Sequence, residues 1–450
     1  MKIVSYLYMF VCLGMISCSN DFLDVKPDKA LVVPKTLADY QALLDDVAQQ
    51  MNQTPGLINA ATDEFIAKDN SLQSSASYLS DAYLWDYEGL QQMEIDFDWT
   101  NIYAQVLKAN LVLEGLDDMK DVTDKTRYND VKGSALFLRA WHFFHLLQVY
   151  AVPYDRETAN TDLGIVLKLK ADINDKAGRS TVEICYNQII QDLFTATELL
   201  SKTSIVISRP NRCAAYALLA RVYLSRFDYE NAEKYASLSL QVQPDLLDYN
   251  LVGNTFEDPF RVKNPEIIFY SMPILQASQL YTNGIVNPAW ISIYTAEDLR
   301  KSKYFKFDGQ GNAQMKATYY FRSLVPFTGL TTSEMYLIQA ECLIRRNSIP
   351  AGLALLNHLR KHRFNKEAST MMLKAEDVED AMAIVLDERI RELVFRGLRW
   401  FDLRRLNKDP RFKVALERVY NGNTYRLEPN DKMYCFPIPR TEKMYNNLIE

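Results

Sequence analysis

Residues 210–244 constrain this chain more than any other stretch. Between Pro210 and Pro244, Leu219-Ala220, Tyr223 and Ala232 follow the spacing of a helix–turn–helix unit of about 34 residues. Small residues at these positions let two helices approach closely. The proline ends the second helix because it has no N–H to donate and its ring clashes with the preceding turn. Such a unit leaves an apolar face bare unless a neighbour stacks on it. The rest of the chain must therefore supply neighbours, and two stretches qualify. Ala135–Ala140 (ALFLRA) resembles Ala217–Arg221 (ALLAR), and Glu334–Arg363 reads as a second, degenerate helix pair broken at Pro350. Ala236 and Ser239 depart from the usual pattern of the first unit.

We expect three to four divergent repeats with long insertions, an all-α, tetratricopeptide-like scaffold with repeat helices at about 98–245 and 331–363. Other helices have clear signals. Thr36 caps a helix over 36–50 with Asp39 in its first turn. Ile102, Val106, Ala109, Asn110 and Leu113 share one helical face. Tyr128–Tyr150 is helical until Val152-Pro153 stops it. Ser180-Thr181 with Glu183 opens a helix running to Leu200. Residues 376–394 form an amphipathic helix with Leu386, Ile390, Leu393 and Val394 on one face. By contrast, 52–92, 153–178 and 246–330 are loop-rich. They hold a few short strands, such as Glu266–Tyr270, and a turn at Gly309–Gly311. Asn287–Tyr294 reads as a segment of exposed aromatics. The tail Tyr434–Pro439 is extended because its prolines exclude helix.

The N-terminus is a processing signal. Lys2 precedes an apolar stretch, Ile3–Ile16, too short to span a bilayer, and Met15-Ile16-Ser17-Cys18 resembles a lipobox. We expect residues 1–17 to be a signal peptide and Cys18 to be lipidated, so that the lipid is the only membrane attachment. The formal charge of −6 comes without any basic block. That argues against a nucleic-acid binder, which needs a cationic stripe to neutralise phosphates. Cys185, Cys213, Cys342 and Cys435 are widely spaced and form no C-x-x-C pair, so we expect four free structural thiols.

Catalytic chemistry is hard to place. His142/His145 and His358/His362 have helical spacing, but no acidic third ligand accompanies either pair. His142 sits among aromatics. His358 and His362, beside Arg360, Lys361 and Arg363, read as a solvated basic face. No Walker loop, nucleophile elbow or dinucleotide fingerprint occurs. We expect no metal, no cofactor and no enzymatic activity.

Several ordered motifs resemble the SusD family (RagB/SusD). They are Glu388-Arg389-Ile390-Arg391-Glu392-Leu393 continuing through Gly397-Leu398-Arg399-Trp400-Phe401-Asp402-Leu403-Arg404-Arg405, then Phe436-Pro437-Ile438-Pro439 with Glu442 and Asn446. Asn264-Pro265-Glu266-Ile267-Ile268-Phe269 and the start at Cys18-Ser19-Asn20-Asp21-Phe22-Leu23-Asp24 match as well. Arg391, Glu392, Arg399 and Asp402 suit a partly buried charge network, and Trp400 and Phe401 suit the core.

The resemblance implies one domain over 18–450, with the signature at 376–450. It implies a loop-rich ligand-binding half facing outward at about 52–92 and 246–330. The implied role is an outer-membrane, surface-exposed lipoprotein that captures an oligomeric nutrient. It would act as hinged lid of a SusC-like, TonB-dependent transporter. A glycan is the first choice of ligand. A peptide-capturing relative and a lipid-anchored scaffold that binds protein only are the alternatives. Asp63, Glu64, Asn70, Tyr83, Trp85, Tyr87, Trp290 and Tyr294 lie in the ligand-facing loops and are the candidate contacts. Aromatic faces stack on sugars while carboxylates and amides hold hydroxyls.

Overall fold

The computed structural model describes residues 34–449 except 47–50, 69–71, 73–76, 121, 254–263, 317–318, 320–324 and 370. The signal peptide, Cys18 and Asn70 lie outside the described residues. Helix α1 (Leu37–Leu44) opens with a reciprocal capping box between Thr36 and Asp39. Two short helices follow, α2 (Ser77–Leu84) and α3 (Tyr87–Gln91). The long helices are α4 (Phe97–Asp117), α5 (Lys125–Tyr150), α6 (Val182–Leu199), α7 (Arg212–Ser225) and α8 (Tyr229–Val242). After an insertion come α9 (Thr332–Arg345), α10 (Ile349–Lys361), α11 (Val378–Leu393), α12 (Arg399–Leu406) and α13 (Arg440–Tyr445).

From α4 onward the helices stack in a row: α4 on α5, α5 on α6, α6 on α7, α7 on α8, α8 on α9, and α9 on both α10 and α11. Helix α5 is the spine. Every residue from Gly133 to Tyr150 is buried, because this helix is apolar nearly all round and has neighbours on all sides. The two helix pairs turn identically. Helix α7 ends at Phe227 (φ 60°) and α9 at Asn347 (φ 67°), both left-handed. Asp228 N–H bonds the Tyr223 carbonyl (3.0 Å) and Ser348 N–H the Leu343 carbonyl (2.8 Å), the Schellman arrangement. Pro350 falls in the first turn of α10, where its missing N–H is not needed, so it starts the second helix rather than interrupting it. Gly352 then lets α10 approach α9: a Cβ there would stand 2.6 Å from Ile344 Cγ1 and 3.0 Å from the Ala340 carbonyl.

The likeness between ALFLRA and ALLAR has a structural meaning. Arg139 in α5 pairs with Asp192 in α6 at 2.8 and 2.7 Å, and Arg221 in α7 pairs with Glu334 in α9 at 2.8 and 2.6 Å. Each repeat arginine forks onto a carboxylate of a helix further along the chain. The four body cysteines are free, with Cys185, Cys213 and Cys342 buried.

Ten short strands among the described residues pair two by two. β1 (Gln53–Thr54) runs parallel to β4 (Met272–Pro273), and β2 (Phe65–Ile66) is antiparallel to β5 (Ile285–Val286). These two pairs stitch the 52–92 loop onto the 246–330 insertion. β3 (Ile267–Phe269) pairs with β8 (Leu330–Thr331), β6 (Phe305–Phe307) with β7 (Ala313–Met315), and β9 (Leu416–Tyr420) with β10 (Asn423–Leu427).

The insertion is held to the scaffold by buried ions. Arg363 donates to Glu266 (2.7 Å), to Glu392 (2.8 Å) and to the Leu247 carbonyl (2.9 Å). Arg300 reaches Asp298 (2.7 Å), Glu388 (2.7 Å) and Glu392 (3.1 Å), and Arg360 reaches Glu388 (2.8 Å). Tyr319 adds hydrogen bonds to Glu266 (2.5 Å) and Glu392 (3.1 Å). Arg360 and Arg363, expected on a solvated basic face, are therefore corrected to buried positions. Their guanidinium groups reach carboxylates of α11 and the insertion. Removing Arg363 leaves buried Glu266 with hydrogen bonds, such as that from the Tyr319 hydroxyl, but no ion-pair partner among the described residues, and leaves Glu392 with Arg300 as its cation. Arg363→Met is expected to lower the unfolding free energy by about 3–5 kcal/mol, read from urea denaturation. A loss near zero would mean that the carboxylates find other partners or water.

Candidate functional site

Most of the loop residues singled out from sequence converge, and two arginines from the C-terminal part gather them. Arg399 at the start of α12 forks onto Asp63 at 2.7 and 2.8 Å. Its guanidinium also lies over the Trp290 ring, 5.1 Å from the centroid. Asn287 ties the same corner: its side chain donates to the Asp63 carbonyl (3.0 Å) and its backbone N–H to the Glu64 carbonyl (3.0 Å). The Glu64 carboxyl accepts from the Phe395 N–H at 2.7 Å, where Phe395 is left-handed (φ 60°). On the other side, Arg418 lies 3.8 Å from the Tyr83 ring centroid and 4.4 Å from that of Trp85. It also donates to the carbonyls of Ala60, Thr62 and Tyr83.

Trp85 is where it is because α2 ends there. Its φ of 59° and the Asp86 N–H to Asp81 carbonyl bond (2.8 Å) repeat the Schellman turn of the helix pairs. This swings the indole inward, and its Nε1 donates to the Ala61 carbonyl at 2.9 Å. The electrostatics follow from burial. Burial works against ionised Asp63, but Arg399 outweighs it and holds the carboxyl below its ordinary range. Glu64 has no such cation in direct contact. Burial pushes it up to about 7, against the Phe395 N–H, and the Asp63 charge adds to the rise.

Two family models cover most of the chain. One, described as "Starch-binding associating with outer membrane", matches residues 21–224; the second, the SusD family model, matches residues 276–449. The chain belongs to the SusD family. A relative, SusD-like protein P2 of Formosa agariphila, is 25% identical over 418 residues, covering 78% of each chain. Among solved structures, a SusD superfamily protein from Bacteroides thetaiotaomicron superposes with a TM-score of 0.75 at 20% identity, over 92% of this chain and 99% of that one. A putative sugar-binding protein from Bacteroides vulgatus gives 0.74 at 21% identity, over 93% and 98%. At that identity the likeness shows a shared, mostly helical fold.

Within this SusD-family fold, the signature residues do mechanical work. Glu341, Asp402, Arg389 and Arg405 form a second buried network, with Arg405 on Glu341 at 2.6 Å and Arg389 on Asp402 at 2.8 Å. Trp400 and Phe401 are core residues. The aromatic candidates are enclosed too. Trp85 is 8% exposed, Trp290 6%, Tyr294 3% and Tyr83 2%. The expectation of exposed aromatics over Asn287–Tyr294 is thus corrected: the Pro288–Ser292 turn of helix directs Trp290 under Arg399, and the Tyr294 hydroxyl bonds the Arg391 carbonyl at 2.8 Å. Tyr87 keeps partial exposure, with Lys432 4.3 Å from its centroid. Sequence reading missed Arg418. Its signal was the alternation of β9, where Leu416, Arg418 and Tyr420 point inward.

Three openings are lined by other described residues. A groove of about 740 Å³ runs between α8 and α9, a cleft of about 630 Å³ lies beside α4, and a hollow of about 390 Å³ sits near Tyr154 and Lys408. The described residues hold no group of three or more His, Cys, Asp or Glu able to bind a metal. His142 is buried and faces the Met51 carbonyl at 3.0 Å.

Two outcomes follow from this packing. Trp85→Ala removes an enclosed indole and is expected to destabilise the protein by about 3–5 kcal/mol, measured by urea denaturation; an unchanged midpoint would place the ring in solvent. For Glu64, the folded state holds its proton up to about pH 7, against 4.5 for the free group. Native protein therefore binds more protons than unfolded protein between these values, and stability falls as pH rises through that window, by on the order of 3 kcal/mol. Glu64→Gln should flatten that slope between pH 5 and 8, and a slope equal to wild type would show Glu64 ionised throughout.

Proposed function

We propose that this SusD-family protein is a lipid-anchored, cell-surface binding protein that captures an oligosaccharide. It presents the ligand to a SusC-like, TonB-dependent transporter, which it covers as a hinged lid. The observation that carries this reading is the match of 21–224, which spans the start of the mature chain and helices α1–α7, to a family described as starch-binding and associated with the outer membrane. The structural neighbour from Bacteroides vulgatus, described as a putative sugar-binding protein, points the same way. Binding rather than turnover fits a candidate site whose buried carboxylate Asp63 is held by Arg399 in an ion pair.

The ligand face we assign to the 52–92 and 246–330 loops. Asp63, Glu64, Tyr83, Trp85, Trp290 and Tyr294 act there as its rigid support. Tyr87, and Asn70 outside the described residues, remain candidate contacts. Ligand would favour the closed lid through contacts made only in that state. Among the described residues no helix is long and apolar enough to cross a membrane, and the anchor we assign is the lipid on Cys18.

The test is to screen the mature lipoprotein, in detergent, on glycan and peptide arrays, and to follow Cys18→Ser with an alkynyl fatty acid. We expect glycan hits, a transporter that co-purifies, and loss of both label and membrane fractionation in the variant. Hits confined to peptides would replace the ligand class. Transporter co-purification with no hit on either array would leave a scaffold that binds protein only.

A further inference from the structure

We infer that the cleft beside α4 is an oligosaccharide-binding site, shaped for neutral sugar rings. This rests on the glycan reading above and adds a place and a ligand charge to it. The cleft lies between α4, the 166–176 connector and the C-terminal segment, away from the Asp63–Arg399 cluster.

Its walls are built before any ligand arrives. One side of α4 grips the connector by its backbone. Tyr103 donates to the Val166 carbonyl (3.0 Å), Asn110 to the carbonyls of Lys168 (2.8 Å) and Lys170 (3.2 Å), and Glu114 accepts from the Ala171 N–H (2.9 Å). With the backbone held, alternate side chains of the extended connector, Val166, Lys168 and Lys170, all line the cleft. The opposite wall is fixed as well: Asn446 donates to the Ala177 carbonyl (2.9 Å) and Thr441 to the Glu94 carbonyl (2.7 Å). A volume of about 630 Å³ lies within the range of ligand pockets, and fixed walls spare a ligand the cost of ordering them.

The lining has the chemistry of a sugar site. Tyr445 and Ile173 stand on the rim 77% and 79% exposed, large apolar side chains that no described residue covers. A tyrosine ring in that position offers a flat face to the C–H side of a pyranose. Lys168, Lys170 and Lys176 make no ion pair with a described residue, and neither do Asp172, Asp175 and Glu442, although all six line the cleft. Three cations and three carboxylates cancel. A ligand of either net charge meets as much repulsion as attraction, whereas hydroxyls donate to one set and accept from the other.

The experiment titrates the mature lipoprotein with maltohexaose, cellohexaose and xylohexaose, and with a hexagalacturonate as the anionic counterpart. Wild type, Tyr445→Ala and Lys168→Ala are compared, with backbone hydrogen exchange in the presence of each sugar. We expect Tyr445→Ala to weaken the best neutral ligand tenfold or more at unchanged melting temperature, and the ligand to protect 166–176 and 440–446. Undiminished affinity with protection only in the 52–92 and 246–330 loops would overturn this site and leave the glycan reading standing. Binding of the galacturonate alone would overturn the neutral class. Wild type that binds no glycan here or on the array would remove both the site and the reading.

Discussion

The fold depends on arginine forks made in the absence of water. Arg300 and Arg363 are fully buried, and between them they hold Glu266, Asp298, Glu388 and Glu392. Taking an ion out of water costs several kcal/mol, so such groups are stable only when their hydrogen-bonding capacity is met. Here each guanidinium reaches carboxylates from two or more segments, and Glu341 and Glu392 are held down to about 2 in spite of burial because arginines surround them. The result is directional. A patch of leucines would hold α11 to the insertion at several registers, whereas these forks accept one. An insertion of long loops needs such fixed footings, because its own strands are only two to three residues long.

The same physics decides what could be read from the sequence. Helix caps and breaks were legible because their signals are local: Thr36, Thr181 and Pro350 act within one turn. The likeness of Arg139 to Arg221 was legible as a pattern, yet the partners Asp192 and Glu334 lie 53 and 113 residues away. Arg360 and Arg363 looked like surface charge because nothing nearby in sequence announces Glu388 or Glu266. Trp85 and Trp290 looked like exposed rings in polar loops. Their inward direction is set by a left-handed helix end and by Arg399 and Arg418, contributed from more than a hundred residues downstream. Local propensity cannot carry that information.

Enclosure makes the aromatic cluster a structural support. Left-handed Trp85 and Phe395 each cost of order 1–2 kcal/mol in backbone conformation. They persist because side chains around them leave no alternative: Phe395 gives its N–H to Glu64 and stacks on Phe65 at 4.6 Å. Such overdetermined corners are stiff. A stiff corner beneath surface loops keeps its shape when the residues above it change.

Helix α4 joins the two candidate binding regions. At its N-terminus the buried Asp98 accepts from the N–H groups of Gly56 (2.9 Å) and Leu57 (2.8 Å) and from the Gln276 amide (3.0 Å). Asp96, one residue before the helix, bonds the Tyr150 hydroxyl at the far end of α5. Burial raises both carboxyls, and each is kept in place by donors from a different segment. Trp99, which follows Asp98, and Tyr103 one turn beyond it line the cleft, packed at 4.7 Å on each other. The loops of the ligand face and the walls of the cleft are thus bonded to the same rigid helix. A sugar chain long enough to touch both would bind a single body at two points, and the second contact would form at the high effective concentration set by the first. For the proposed role, holding an oligomer beneath a hinged lid, two modest sites on one rod serve better than one deep pocket, because neither has to close around the ligand.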